Sequence, residues 1–189
     1  RHAGYAAQAT SIPGVAQRTG ATTYYIEVFP RPDSELGGRR PVFSLNAVPG
    51  AIDLLVSSEL LETVRQVSNG MATPQRTRVI TSSSRTLTTQ ERMQLGDGRA
   101  DSAHLLGVVR AHSHSAQVFD MVAMARECGT VVSAVMLGAV AGSGLLPMRR
   151  EDYEAVVRQG GASAATEASL RGFGRAFAQV SGAVAQLAQ

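Results

Sequence analysis

Two stretches near the start of the chain, residues 5–12 and 22–29, are rich in alternating apolar, β-branched and polar positions and predict strands. The second reads Thr22-Thr23-Tyr24-Tyr25-Ile26-Glu27-Val28-Phe29, with Pro30 and Pro32 expected to end it. The residues between the strands are too many for a tight hairpin turn, and 30–40 reads as a further loop. A short buried strand is predicted at 53–58 and a helix at 59–67, with Leu60, Leu61 and Val64 on one face and Gly70 past its end. Residues 78–82 form another strand, running from apolar residues into hydroxyls, and Gly96-Asp97-Gly98 reads as a turn. Ser102 is placed to cap a helix over 102–112 whose face is Leu105, Leu106, Val108 and Val109, and a strand follows at 117–121. The rest is helical: 122–128 stopped by Gly129, 130–141, 151–158 stopped by Gly160-Gly161, and 163–188.

Strands alternating with helices in the middle of the chain predict an α/β fold with a partly parallel sheet. The first two strands have no helix between them and are expected to be antiparallel, making the sheet mixed. The expected architecture is a three-layer α/β/α domain with a helical C-terminal third. In the last helix Leu170, Phe173, Phe177, Val180, Val184 and Leu187 recur at heptad-like spacing, while Arg171, Arg175, Gln179, Ser181 and Gln186 lie opposite. This divides the chain into an α/β unit at 1–162 and a C-terminal docking helix at 163–189. Two readings of that helix stand: its seam covers the domain's own sheet, or the part from Val180 onward reaches a partner. Residues 130–148 carry no charge and include the small-residue pair Gly138 and Gly142. Because Gly142-Ser143-Gly144 and Pro147 interrupt them, they read as a buried core helix and not as a membrane span.

With 189 residues and 44% hydrophobic content the chain can bury a substantial core, and its composition excludes intrinsic disorder. Its 18 basic residues are all arginine. The absence of lysine excludes Schiff-base chemistry and a Walker-type phosphate loop. The arginines are scattered without interleaved aromatics, so no nucleic-acid partner is expected. One cysteine, Cys128, cannot form an internal disulfide, and several thiolates would be needed for an iron–sulfur cluster. No signal peptide is visible and a cytoplasmic location is expected. The chain opens Arg1-His2-Ala3 without methionine, so an upstream piece is expected to be missing.

Candidate chemistry gathers at strand ends. Ser57-Ser58-Glu59 and Thr81-Ser82-Ser83-Ser84-Arg85 place hydroxyls, a carboxylate and a guanidinium where open α/β sheets bind ligands, suiting a phosphate or carboxylate. The same hydroxyls also serve simply to satisfy turn backbone groups. Gln17-Arg18-Thr19-Gly20 is the most chemically loaded loop, since a guanidinium beside an amide and a glycine suits bidentate anion binding. His112-Ser113-His114 follows a helix end and reads as a solvated terminus. No nucleophile elbow, metal-ligand spacing or paired acid and base is present in the sequence.

The stretch Gly14-Val15-Ala16-Gln17-Arg18-Thr19-Gly20-Ala21-Thr22-Thr23-Tyr24-Tyr25-Ile26 resembles the loop and strand of the gamma-type domain of the 2-oxoacid:ferredoxin oxidoreductases, in particular of the indolepyruvate oxidoreductase beta subunits. Four further stretches are similar in order and spacing: 53–62, 95–102, 118–121 and 136–147. The resemblance covers roughly residues 3–175. Thr19 stands where many relatives have glycine, Ser133 where many have asparagine, and the glycine-rich unit expected upstream of His2 is missing. The resemblance implies a domain that binds no cofactor alone, with thiamine diphosphate and iron–sulfur clusters in a partner subunit or other domains. It also implies a ferredoxin-like electron acceptor, CoA as an interface ligand, and oxidative decarboxylation of an aryl 2-oxo acid to acyl-CoA. Gln17, Arg18, Thr19, Glu59, Ser82, Ser83 and Arg85 are the candidate substrate- or interface-binding residues, and none is assigned a catalytic role. A stand-alone nucleotide- or acyl-binding α/β module and a structural assembly domain remain as alternatives.

Overall fold

The structure is a computed structural model that describes residues 2–13, 22–84 and 101–187. Strands β1 (Tyr5–Pro13) and β2 (Thr22–Pro32) pair antiparallel. A short 3-10 turn (Asp33–Glu35) follows. Then come β3 (Leu54–Ser57), α1 (Leu60–Ser68), β4 (Arg78–Ser82), α2 (Ser102–Ala111) and β5 (Ser115–Phe119). Four helices close the described chain: α3 (Met121–Cys128), α4 (Val132–Gly142), α5 (Arg150–Arg158) and α6 (Ala164–Leu187).

The fold is α/β, as expected. β3, β4 and β5 form a parallel sheet in that order, and alternation along each strand gives it two apolar faces. Leu55, Val79 and Ala116 face α1 and α2, packing with Leu60, Val67, Leu105 and Val109. Leu54, Val56, Ile80 and Phe119 face the other way, against Met121, Met124, Val135, Ala139, Ala176 and Val180 of α3, α4 and α6. Helices therefore cover both faces, which makes three layers.

The antiparallel pair departs from expectation in one respect. Among the described residues β1 and β2 form a sheet of their own and do not extend the parallel one. The second strand also runs through Pro30 to Pro32. A proline lacks the N–H that an inner strand would have to donate, but a two-stranded ribbon has an open edge on both sides. The register shifts between Tyr5 and Ala7, which accommodates the irregular proline end.

Element boundaries moved by a residue or two wherever a cap decides them. Asp101, not Ser102, caps α2, accepting a 2.9 Å hydrogen bond from Ala103 N. β5 begins earlier than predicted, at Ser115, because His114 N already donates to Thr77 O at 2.8 Å. Gly96-Asp97-Gly98 lies outside the described residues. Gly129, at φ 65°, ends α3 in the left-handed conformation that glycine adopts without strain, and the chain turns by 114° into α4. Among the described residues no single helix is long and apolar enough to cross a membrane.

The most intimate packing is that of α4 against α6. A Cβ added at Gly138 would overlap the carbonyl of Phe173, and one at Gly142 would lie 2.7 Å from Phe177 O. On α6, a Cβ at Gly172 would lie 2.7 Å from Thr130 Cγ2, in the turn that leads into α4. The pair of small residues lets two backbones touch, and Phe173, Ala176 and Val180 are fully buried as a result. Val180, where one of the two readings has the helix begin to reach outward, belongs to the domain's own core. Beyond it Val184 is half-buried, and Gly182 meets nothing within 4 Å.

Gly138→Ala should destabilise the fold by about 3 kcal/mol or more, because the obstruction is backbone that cannot step aside. Gly182→Ala should stabilise it by about 0.5–1 kcal/mol through helix propensity alone. Urea denaturation of the two variants would read opposite signs; equal effects would contradict the close crossing.

Tyr153 is buried on α5, its ring 6.2 Å from that of Phe173, and its hydroxyl has no hydrogen-bond partner. Burial, with a smaller contribution from Asp152, pushes its ionisation up to about 12. Because the folded-state value lies above the unfolded one, the folded state holds this proton more tightly. Stability should therefore fall as pH rises from about 10 to about 12. Tyr153→Phe should flatten that alkaline limb and leave neutral-pH stability equal or slightly higher, since a hydroxyl without a partner contributes nothing by staying. A stability–pH series by chemical denaturation measures both.

Candidate functional site at the strand ends

The carboxyl ends of β3, β4 and β5 meet the first turns of α1 and α3, and here the structure brings Glu59, Ser82 and Ser83 together. Glu59 is the N-cap of α1: its Oε2 accepts from Glu62 N at 2.8 Å. Its carbonyl accepts from Thr63 Oγ1 at 3.0 Å, and Ser57 Oγ donates to the same carbonyl at 2.8 Å. Leu60 N donates to Ser84 O at 3.0 Å, tying the start of α1 to the residues after β4.

Ser82 is fully buried and its Oγ accepts two backbone N–H groups, from Ser84 and Met121, each at 3.1 Å. It thereby holds the end of β4 to the start of α3. Ser83 N donates to Phe119 O at 3.0 Å, while its side chain is exposed. Below this edge the buried hydroxyls of Thr63 and Thr81 share a 2.6 Å hydrogen bond between α1 and β4.

Asp120 completes the edge. Its Oδ1 accepts from Ala123 N and from Ser84 Oγ, both at 2.8 Å, and these bonds hold its carboxyl below the ordinary carboxylate range. Sequence reasoning missed Asp120. Its signal was present: an aspartate immediately ahead of an apolar helical run is an N-cap pattern.

Several amides at these helix starts, the groups that would attract a phosphate, are engaged: Glu62 N by Glu59, Met121 N by Ser82, Ala123 N by Asp120 and Leu60 N by the Ser84 carbonyl. No step is derived through a diphosphate cofactor. The described residues include no group of three or more His, Cys, Asp or Glu side chains able to hold a metal ion.

The other candidates fall elsewhere. Gln17, Arg18, Thr19 and Arg85 lie outside the described residues. His112 caps the end of α2, its Nδ1 2.9 Å from Val108 O, in keeping with a solvated helix terminus. What the sequence did not single out is the projecting β1–β2 hairpin. Ala7, Ala9 and Ser11 oppose Val28, Ile26 and Tyr24 on one uncharged face, where Tyr24 is 67% and Ile26 61% exposed. The opposite face is strapped by the segment after Pro41: Gln8 Nε2 donates to Ser44 O at 3.0 Å, and Ser44 N donates to Glu27 Oε2 at 2.8 Å.

The depressed ionisation of Asp120 has a testable sign. Its contribution to stability is full above the ordinary carboxylate value of about 4 and is lost as pH falls through the lower folded-state value. Asp120→Asn should therefore flatten part of the acid limb of a stability–pH curve. A side-chain NMR titration of Asp120 with an ordinary midpoint would refute the assignment.

A comparison with protein families matches residues 1–179 to pyruvate ferredoxin/flavodoxin oxidoreductase. No curated protein and no solved structure matches the chain in the corresponding searches. The matched stretch takes in the hairpin, the parallel sheet and about two-thirds of the long C-terminal helix, and on that extent the chain belongs to the pyruvate ferredoxin/flavodoxin oxidoreductase family.

Proposed function

We propose that the chain is the gamma-type domain of an aryl-pyruvate 2-oxoacid:ferredoxin oxidoreductase of the indolepyruvate kind, acting as part of a cytoplasmic complex. The reaction would convert a 2-oxo acid and CoA into acyl-CoA, CO2, one proton and two electrons, the electrons passing to a ferredoxin-like acceptor. The family match supports oxidoreductase chemistry on 2-oxo acids within a multi-domain or multi-subunit assembly. The collinear stretches around Gly14–Ile26 and 136–147 favour the indolepyruvate type.

Thiamine diphosphate and the iron–sulfur clusters would belong to a partner subunit or domain, where the thiamine supplies the electron sink for decarboxylation. The observation that carries an assembly role is the uncharged face of Ala9, Ile26 and Tyr24, which is exposed among the described residues. Residues 14–21, which include Gln17, Arg18 and Thr19, join the two strands of that hairpin in the sequence. In this reading Arg18 anchors an anion, either the 2-oxo carboxylate or a phosphate of CoA. Glu59, Ser82, Ser83 and Arg85 would serve as interface residues after the strands of the parallel sheet and not bind the cofactor.

The test is reconstitution of the full complex. Arg18→Ala should lower turnover of an aryl 2-oxo acid about tenfold or more, matching the ~1.5–3 kcal/mol of a charged hydrogen bond, and lysine should not restore a bidentate contact. Wild-type turnover in Arg18→Ala would remove the anchor. Pyruvate turned over in preference to indolepyruvate would remove the aryl assignment. Decarboxylation by the chain with every partner removed would overturn the division of labour.

A further inference from the structure

Of the arginines in the described residues, most are engaged. Arg65, Arg76, Arg149, Arg150, Arg158 and Arg175 pair with carboxylates, while Arg78 and Arg171 donate to the carbonyls of Ser143 and Cys128. Arg110 and Arg126 are exposed singly on α2 and α3; the remaining three, Arg31, Arg39 and Arg40, are also exposed, and none has a carboxylate within ion-pairing distance. They lie within ten residues of chain at the base of the hairpin.

The local fold turns two of them toward one place. Leu36 O accepts from Arg39 N at 3.0 Å across Gly37 and Gly38, whose φ values of 56° and 80° define a tight turn closed to other residues. That turn carries Arg39 back over the end of β2. Arg31 and Arg39 then flank a cleft of about 220 Å³ floored by Phe29, Leu36 and Pro41, with Glu35 on its wall. Beside it Val42 is 96% exposed.

We propose that this cleft docks an acidic segment of a protein partner, one apolar side chain resting on Phe29, Leu36 and Pro41 while flanking carboxylates pair with Arg31, Arg39 and Arg40. Size argues for a side chain, because small-molecule sites start near ~300 Å³ and enclose their ligand. Charge argues for an acidic partner. Arg31 and Arg39 flank the cleft with no carboxylate in ion-pairing distance, and an incoming carboxylate would offset their mutual repulsion while forming bidentate bonds. An apolar anchor flanked by arginines has the composition of an interface hot spot. Glu35 confines the incoming carboxylates to the arginine side and so fixes the direction of the bound segment. The inference stands on this cleft alone and does not depend on which 2-oxo acid the assembly uses.

The experiment is an NMR titration of the full chain with three probes. They are a blocked peptide with one leucine flanked by acidic residues, its amide analogue with Asn and Gln for Asp and Glu, and inorganic phosphate. The acidic peptide should shift the amides of Phe29, Leu36, Gly37 and Gly38 saturably, with affinity that falls as salt rises. The double variant Arg31→Gln, Arg39→Gln should lower that affinity tenfold or more with no change in thermal midpoint. The proposal is overturned by no shift with the acidic peptide, by equal binding of the amide analogue, or by unchanged binding to the double variant. Saturation of the same amides by phosphate at the same concentration would mark a small-anion site instead and equally overturn it.

Discussion

Everything on the second face of the sheet depends on the contact of α4 with α6. Two helices held apart by ordinary side chains pack with axes roughly 8–10 Å apart. Here the glycines at 138 and 142 remove the side chains at the crossing so that α4 meets the backbone of α6, and Gly172 makes room for the side chains of Thr130 and Val135. That proximity seals Phe173 and Val180 against Val135 and Ala139, and beneath them Ile80, Val56 and Phe119 of the sheet. The crossing explains why glycines that reduce helix propensity can stand in α4 and α6. Their cost of about 1 kcal/mol each is set against a core that no larger residue would allow. Gly182, beyond the crossing, has no such return.

The polar edge at the strand ends serves the same three layers. Glu59 fixes the entry of α1, Ser82 and Asp120 fix the entry of α3, and Ser84 links the two through its carbonyl and its hydroxyl. Residues that sequence reasoning places at a ligand site are thus engaged in holding helices to strands. This is consistent with an α/β layer whose strand order runs β3-β4-β5 with no reversal among the described residues, since the crevice that binds ligands in such folds opens where the order reverses.

How far the sequence was legible follows from the range of the forces involved. β4 and the core helices were read nearly to the residue, because Val79 and Ile80, or Leu105 and Val109, report burial through local periodicity. The division into two sheets was not legible, since pairing partners are set by long-range packing that alternation does not encode. The seam of α6 was seen as a stripe, yet a stripe does not say what it faces. Only the match between Gly138 and Phe173, distant in the chain, shows that it faces inward. Of the candidate site, Glu59, Ser82 and Ser83 were correctly brought to one edge, but the bonds that occupy them depend on Asp120 and Met121, which arrive from a later element.

A two-stranded ribbon alone is marginal in water. β1 and β2 are held on one face by the strap through Ser44 and at the base by Asp33 N donating to Gly4 O at 2.8 Å. Those bonds are polar and bury little, so the uncharged face of Ala9, Ile26 and Tyr24 is not a by-product of core formation; the core forms without it. Polar residues there would cost the isolated ribbon nothing, and the strap face shows that this strand accepts them, with Glu27 between Ile26 and Val28. An apolar face on an arm that the body does not need is best accounted for by a surface that becomes buried on assembly. In the reading proposed above, that makes the arm a surface for a larger oxidoreductase assembly to engage.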